Sequence, residues 1–161
     1  LVFQESSGVS DFDGPSWWLK KDSRNASGRS SHPRYLEGFQ LAGTVVGAEY
    51  RLAPPGEFVL DGLLDTSPNA TLGFFANHVS PSIPEDLEVT WATNHSIRIP
   101  NDRRMRVRFL RGSGMISGSF RDPENGWNYR LFGVVNQKQS RATGLFLVRD
   151  QSGFFGILPE P

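Results

Sequence analysis

The chain has 161 residues, enough for one domain that buries its own core without metal or disulfide staples. Its 17 basic and 17 acidic side chains cancel, so no global field draws it to nucleic acid or to an anionic membrane. Cysteine is absent, which removes disulfide frameworks, zinc ribbons, iron–sulfur sites and thiol nucleophiles together; this does not fix the compartment and tilts the reading mildly toward a bacterial origin.

Residues 1–34 are rich in Ser, Gly, Asp and Arg around one aromatic island at 12–19, the pattern of an extended N-terminal arm with a single docking point. The chain begins at Leu1 without a basic-plus-apolar signal segment, as expected of a processed or excised piece. A compact domain is predicted over 35–161, with apolar runs of strand length at 35–41, 44–52, 58–64, 70–77 and 87–93. Pro54-Pro55-Gly56 and Ser80-Pro81-Ser82-Ile83-Pro84 are breakers that no helix could cross.

The second half is clearer. In Arg104-Met105-Arg106-Val107-Arg108-Phe109 the arginines fall two apart, so they share one face of a half-buried strand while Met105, Val107 and Phe109 share the other. Strands at 115–120 and 127–135 flank Asp122-Pro123-Glu124-Asn125-Gly126, whose proline and Asn-Gly pair suit a hairpin reversal. Residues 137–141 turn the chain into a strand at 144–148, and 150–153 turn it into one at 154–158. About ten short strands without an amphipathic helix predict an all-β fold, a small antiparallel barrel or a two-sheet sandwich. No apolar run approaches the roughly 20 residues of a membrane helix, so no membrane span is expected.

The blocks Gly114-Met115-Ile116-Ser117-Gly118-Ser119-Phe120, Phe132-Gly133-Val134-Val135-Asn136-Gln137-Lys138, Gly144-Leu145-Phe146-Leu147 and Gln151-Ser152-Gly153, ending at Leu158-Pro159, occur in a fixed order. With upstream pieces at 47–54 and 69–72, the chain from about residue 39 to 159 resembles a glycine-anchored β-rich domain found toward the C-terminal ends of large exported bacterial proteins. That domain is written G-x-F-S-G-S-F, F-x-G-V-x-x-Q-K, G-x-F-L and Q-S-G-x-x-x-x-x-P. Met115, Ile116 and Leu145 depart from its usual residues conservatively. The resemblance implies an extracellular or cell-surface location and a structural or interaction role, with no catalytic residues to carry over.

The residues themselves point the same way. His32, His78 and His95 have no ligand spacing, no G-x-S-x-G elbow occurs, and no metal or other cofactor is expected. Asp11-Phe12-Asp13-Gly14 lacks the further ligands of a calcium loop and reads as a polar turn. Asp61 with Asp65, or Glu85 with Asp86, read as structural carboxylates rather than an acid–base pair. Asn25, Asn69 and Asn94 head N-x-S/T sequons, read as polar loops.

Two surfaces remain as candidates for binding. Arg104, Arg106 and Arg108, with Arg103 and Arg111 nearby, suit sulfated or carboxylated glycans, phosphate, or acidic patches of a neighbouring subunit; the alternative, favoured on sequence, is a solvated face balanced by acidic neighbours. Trp17 and Trp18 cannot both point inward on an extended segment, so one is expected to dock while the other reaches a partner, and Trp127 beside a turn can join them or seal a barrel end. The resulting expectation is a non-enzymatic extracellular module whose partners are other protein chains or copies of itself through the arm, not nucleic acid. A carbohydrate-binding module using Trp17, Trp18 or Trp127 is the alternative.

Overall fold

The computed structural model describes residues 2–3, 10–24, 27–28, 35–75, 86–100, 102, 104–148 and 151–160. His32, His78, Arg103, Glu85, the Asn25 sequon, the 80–84 breaker and Asp150 of the last turn lie outside the described residues. The chain divides into two compact units, Leu1–Ala48 with Arg149–Gln151, and Glu49–Val148 with Ser152–Pro161. Regular structure among the described residues is eleven β-strands and one short 3-10 turn, so the fold is all-β as the patterning predicts.

The first unit is a three-stranded antiparallel sheet of β1 (Val2–Phe3), β2 (Phe12–Lys20) and β3 (Phe39–Gly47), in that order. β2 and β3 pair without interruption from Phe12↔Gly47 to Lys20↔Phe39. Within the segment predicted as an extended arm, 12–20 is thus a strand laddered to β3, and the compact units divide after Ala48. The two strands expected at 35–41 and 44–52 are a single strand. Gly43 does not break it, because it sits opposite Ser16 with room for both backbones and is followed by β-favouring Thr44-Val45-Val46. Asp11-Phe12-Asp13-Gly14 leads into β2 instead of forming a turn, with Asp13 paired to Val46.

The second unit is an eight-stranded meander: β4 (Ala70–Phe75), β5 (Asp86–Trp91), β6 (Ile97–Arg98), β7 (Met105–Leu110), β8 (Met115–Arg121), β9 (Asn128–Asn136), β10 (Arg141–Val148) and β11 (Gln151–Pro159). Each strand lies beside its sequence neighbour except at one seam, and β11 returns to pair with β4 from Pro159↔Ala70 to Phe154↔Phe75. The order ends in β6 and β7, which approach each other, so the sheet curls into a nearly closed barrel.

Alternation decides what goes inside. Leu72, Val89, Trp91, Met105, Val107, Ile116, Phe120, Leu131, Phe146, Phe155 and Ile157 are buried at every second position of their strands. Eight strands enclose a space that such side chains fill, so this interior is a packed core.

The segment 58–64 is not the strand its composition suggested. Val59, Leu60 and Leu63 are buried without strand pairing, and Gly62 takes φ +85°, a left-handed turn conformation that ends any extended run. Two strand turns tie this loop down: Arg111 donates to the Ala53 carbonyl at 2.7 and 3.2 Å, and Gln137 accepts from Arg51 N–H at 2.8 Å while donating to the Arg51 and Val59 carbonyls. Tyr50 Oη also donates to the Arg111 carbonyl at 2.7 Å. The loop therefore adds its apolar side chains to the core of the barrel.

His95 stacks edge-on against Phe109, with both ring nitrogens shielded and lacking hydrogen-bond partners among the described residues. Desolvation, then the nearby Arg111 charge, lowers its pKa below the ordinary 6.5. A base whose folded pKa is depressed binds fewer protons folded than unfolded, so its stabilising contribution is complete above 6.5 and is lost as pH falls toward the lowered value. The unfolding free energy is expected to drop between pH 7 and pH 5.5, with a flatter profile for His95→Asn, which keeps a residue tolerant of the observed φ of +67°. Denaturant titrations of both proteins across that range check it.

Candidate functional site

The residues that alternate with the core positions on β7, β8 and β9 make one continuous face. Register places Arg106, Ser119 and Arg130 in one row across the three strands, and Arg108, Ser117 and Phe132 in the next. Arg121 and Asn128 pair in the row beyond, where the Arg121 N–H donates to the Arg104 carbonyl at 3.3 Å. Arginine walls on β7 and β9 thus stand either side of a low floor of Ser117 and Ser119.

Two shallow depressions of about 490 and 390 Å³ share Arg106, Ser119 and Asn128 in their linings and join along β8. The first also takes in Arg104, Arg121 and Gly126, and the second Arg108, Arg130 and Phe132. Toward the 111–114 turn the surface changes character, because Leu110, Met115 and Val134 form an exposed apolar row.

Charge balance separates these arginines. Arg104 is neutralised: Asp102, buried, accepts from its Nε at 3.0 Å, from its Nη2 at 2.9 Å and from its backbone N–H at 2.8 Å. That hydrogen bonding holds the Asp102 carboxyl below the usual carboxylate range and raises the Arg104 guanidinium further. Arg104 also lies over the Phe120 ring, 5.5 Å from its centroid. Arg106, Arg108, Arg121 and Arg130 form no ion pair among the described residues. Among the described residues the acidic balance expected for the stripe is found at Arg104, and Arg106, Arg108, Arg121 and Arg130 present their charge without an ion pair on a chain of zero net charge.

The hairpin turn at the end of the groove is cross-linked by hydrogen bonds. Asp122 is fully buried in the hairpin turn, accepting from Glu124 N–H at 2.8 Å, Asn125 Nδ2 at 2.7 Å and Tyr129 Oη at 2.8 Å. Gly126, at φ +71°, closes the turn by donating to the Asp122 carbonyl at 2.9 Å. Trp127 follows it, partly exposed, with its N–H bonded to Asn125 Oδ1.

The remaining sequence candidates separate. Trp17 and Trp18 lie on opposite faces of β2 and are 72% and 60% exposed. The Trp18 ring touches Phe39 edge-on at 5.5 Å, which leaves most of its surface uncovered. Trp127 belongs to the barrel unit and the tryptophan pair to the other. Asp61, Asp65 and Asp86 are exposed. Among the described residues no group of three or more metal-ligating side chains converges, and no helix is long and apolar enough to cross a membrane. Asn69 is buried and uses its whole amide, unlike the loop asparagine its sequon suggested, whereas Asn94 is exposed.

Sequence reading found Arg104, Arg106 and Arg108 but missed Arg121, Arg130, Ser117, Ser119 and Asn128. Their signal was present in the same alternation on β8 and β9; what joins them to the stripe is cross-strand register, which follows from the turn lengths. Together these features define a nearly closed up-and-down β-barrel with a filled interior and a basic groove on its outer wall. Comparison of the chain with protein-family models, curated proteins and solved structures returns no match.

Proposed function

We propose that this protein is a non-enzymatic extracellular or cell-surface interaction module whose principal contact surface is the arginine face of β7–β9, and whose partner carries negative charge. The observation that carries the reading is that Arg106, Arg108, Arg121 and Arg130 stand on one sheet face without acidic partners among the described residues, while the core beneath them is apolar. Guanidinium groups are the weakly hydrated, fork-shaped donors suited to carboxylate, sulfate and phosphate. The resemblance to domains of exported bacterial proteins supports the location.

The face is tested by cation exchange. Arg106→Ser with Arg130→Ser is expected to lower the salt needed for elution well beyond the shift caused by Arg98→Ser with Arg141→Ser, an equal loss of charge from exposed positions on other strands. Equal shifts would remove the special status of the face. Degradation by protease added to intact cells tests the location.

A second reading rests on the three-stranded unit, where β3 is an edge strand and Trp17, Trp18, Leu19, Leu41 and Val46 are all exposed. Exposed apolar side chains beside an open edge favour pairing with another copy. Sedimentation is expected to show concentration-dependent association that Trp17→Ser with Trp18→Ser abolishes; a wild-type protein that stays monomeric rejects this reading.

A further inference from the structure

Resting on the arginine face as a contact surface, we infer that its ligand is a linear acidic polysaccharide, bearing carboxylate or sulfate groups, lying along β8. The groove has the form of a track. Its floor, Ser117 and Ser119, is small, while Arg106 and Arg108 on one wall and Arg130 on the other rise beside it. Successive outward residues on a strand are about 7 Å apart, and walls two strands apart are about 10 Å apart. A chain one sugar wide fits between them with anionic groups available to both sides.

Three features select a polysaccharide over an acidic polypeptide. The groove runs over β8, whose backbone groups are laddered to β7 on one side and β9 on the other, so an extended peptide lying along that floor would find no backbone partners there. Sugar hydroxyls need only side-chain partners, and Ser117, Ser119 and Asn128 provide donors and acceptors along the floor and wall. Phe132, exposed at the second wall, offers an aromatic face against a ring. The arginines supply charge attraction, and the floor supplies shape.

Binding of the whole protein to polygalacturonate and to dextran sulfate is measured calorimetrically, with neutral dextran, poly-glutamate and single-stranded DNA as comparison probes. The expected result is binding to one or both acidic polysaccharides, weakened at least tenfold by Arg106→Ser with Arg130→Ser. Ser119→Phe, which fills the floor at unchanged charge, is expected to weaken it comparably, a result that diffuse charge attraction would not give. Thermal unfolding of each variant confirms that the barrel remains folded. Tighter binding of poly-glutamate or DNA, lost on removing the same arginines, would overturn the polysaccharide assignment and leave the contact face standing. Failure of every probe, or binding insensitive to both sets of substitutions, would overturn both.

Discussion

Asn69→Ala is expected to destabilise the barrel by about 3 kcal/mol, the sum of three lost hydrogen bonds and the buried backbone groups left without them. Asn69 is 3% exposed and stands just before β4. Its backbone N–H continues the ladder by donating to the Val89 carbonyl at 3.0 Å. Beyond that rung the side chain takes over: Oδ1 accepts from Trp91 N–H at 2.8 Å, and Nδ2 donates to the carbonyls of Trp91 at 3.1 Å and Leu64 at 2.8 Å. One amide thus completes the β4–β5 edge and fastens the loop that carries Val59, Leu60 and Leu63 into the core. Alanine leaves the fully buried Trp91 with unpaired backbone groups and releases the loop. A urea titration should show the midpoint falling by one molar or more with little change in slope, whereas Asn94→Ala, at an exposed turn, should move it little.

Asn69 also shows where the sequence stops being legible. Asn-x-Thr reads as a polar loop because nothing local distinguishes a solvated amide from one replacing a ladder rung; the difference lies in Trp91, more than twenty residues away. The same limit explains the loop at 58–64. Its apolar content correctly marks burial, but Val59 and Leu60 are adjacent, and a strand could bury both only between two packed layers. In β7 the opposite holds: strict alternation of Arg104, Arg106 and Arg108 with Met105, Val107 and Phe109 specifies both faces without any partner. The pairing of the 12–20 segment was hidden for a third reason. Gly14-Pro15-Ser16 has little intrinsic preference for a strand, so β2 exists through its pairing with β3.

Glycines inside the strands allow close packing in the barrel, and the pair Gly133 and Gly144 sets the second large effect. They face each other across β9 and β10 on the inner side. A Cβ on Gly144 would stand 2.5 Å from the Gly133 Cα and 2.6 Å from the Phe155 ring, and would also strike the Phe132 carbonyl. A Cβ on Gly133 would come within 2.8 Å of the same ring. The two bare backbones therefore make the recess that Phe155, 1% exposed, occupies.

Gly144→Val is expected to cost at least 3 kcal/mol, at or beyond the upper end of ordinary overpacking, because the obstruction includes backbone that cannot rotate away. Phe155→Leu alone should cost about 1–2 kcal/mol as a partly filled cavity. Combined with Gly144→Val it should recover part of the loss, since the ring is one of the obstructing groups, but not all, since the Phe132 carbonyl and Gly133 Cα remain. A double-mutant cycle in urea reads this directly: strictly additive costs would mean that Phe155 and Gly144 do not share the recess, and full recovery would mean that the backbone contact carries none of the penalty.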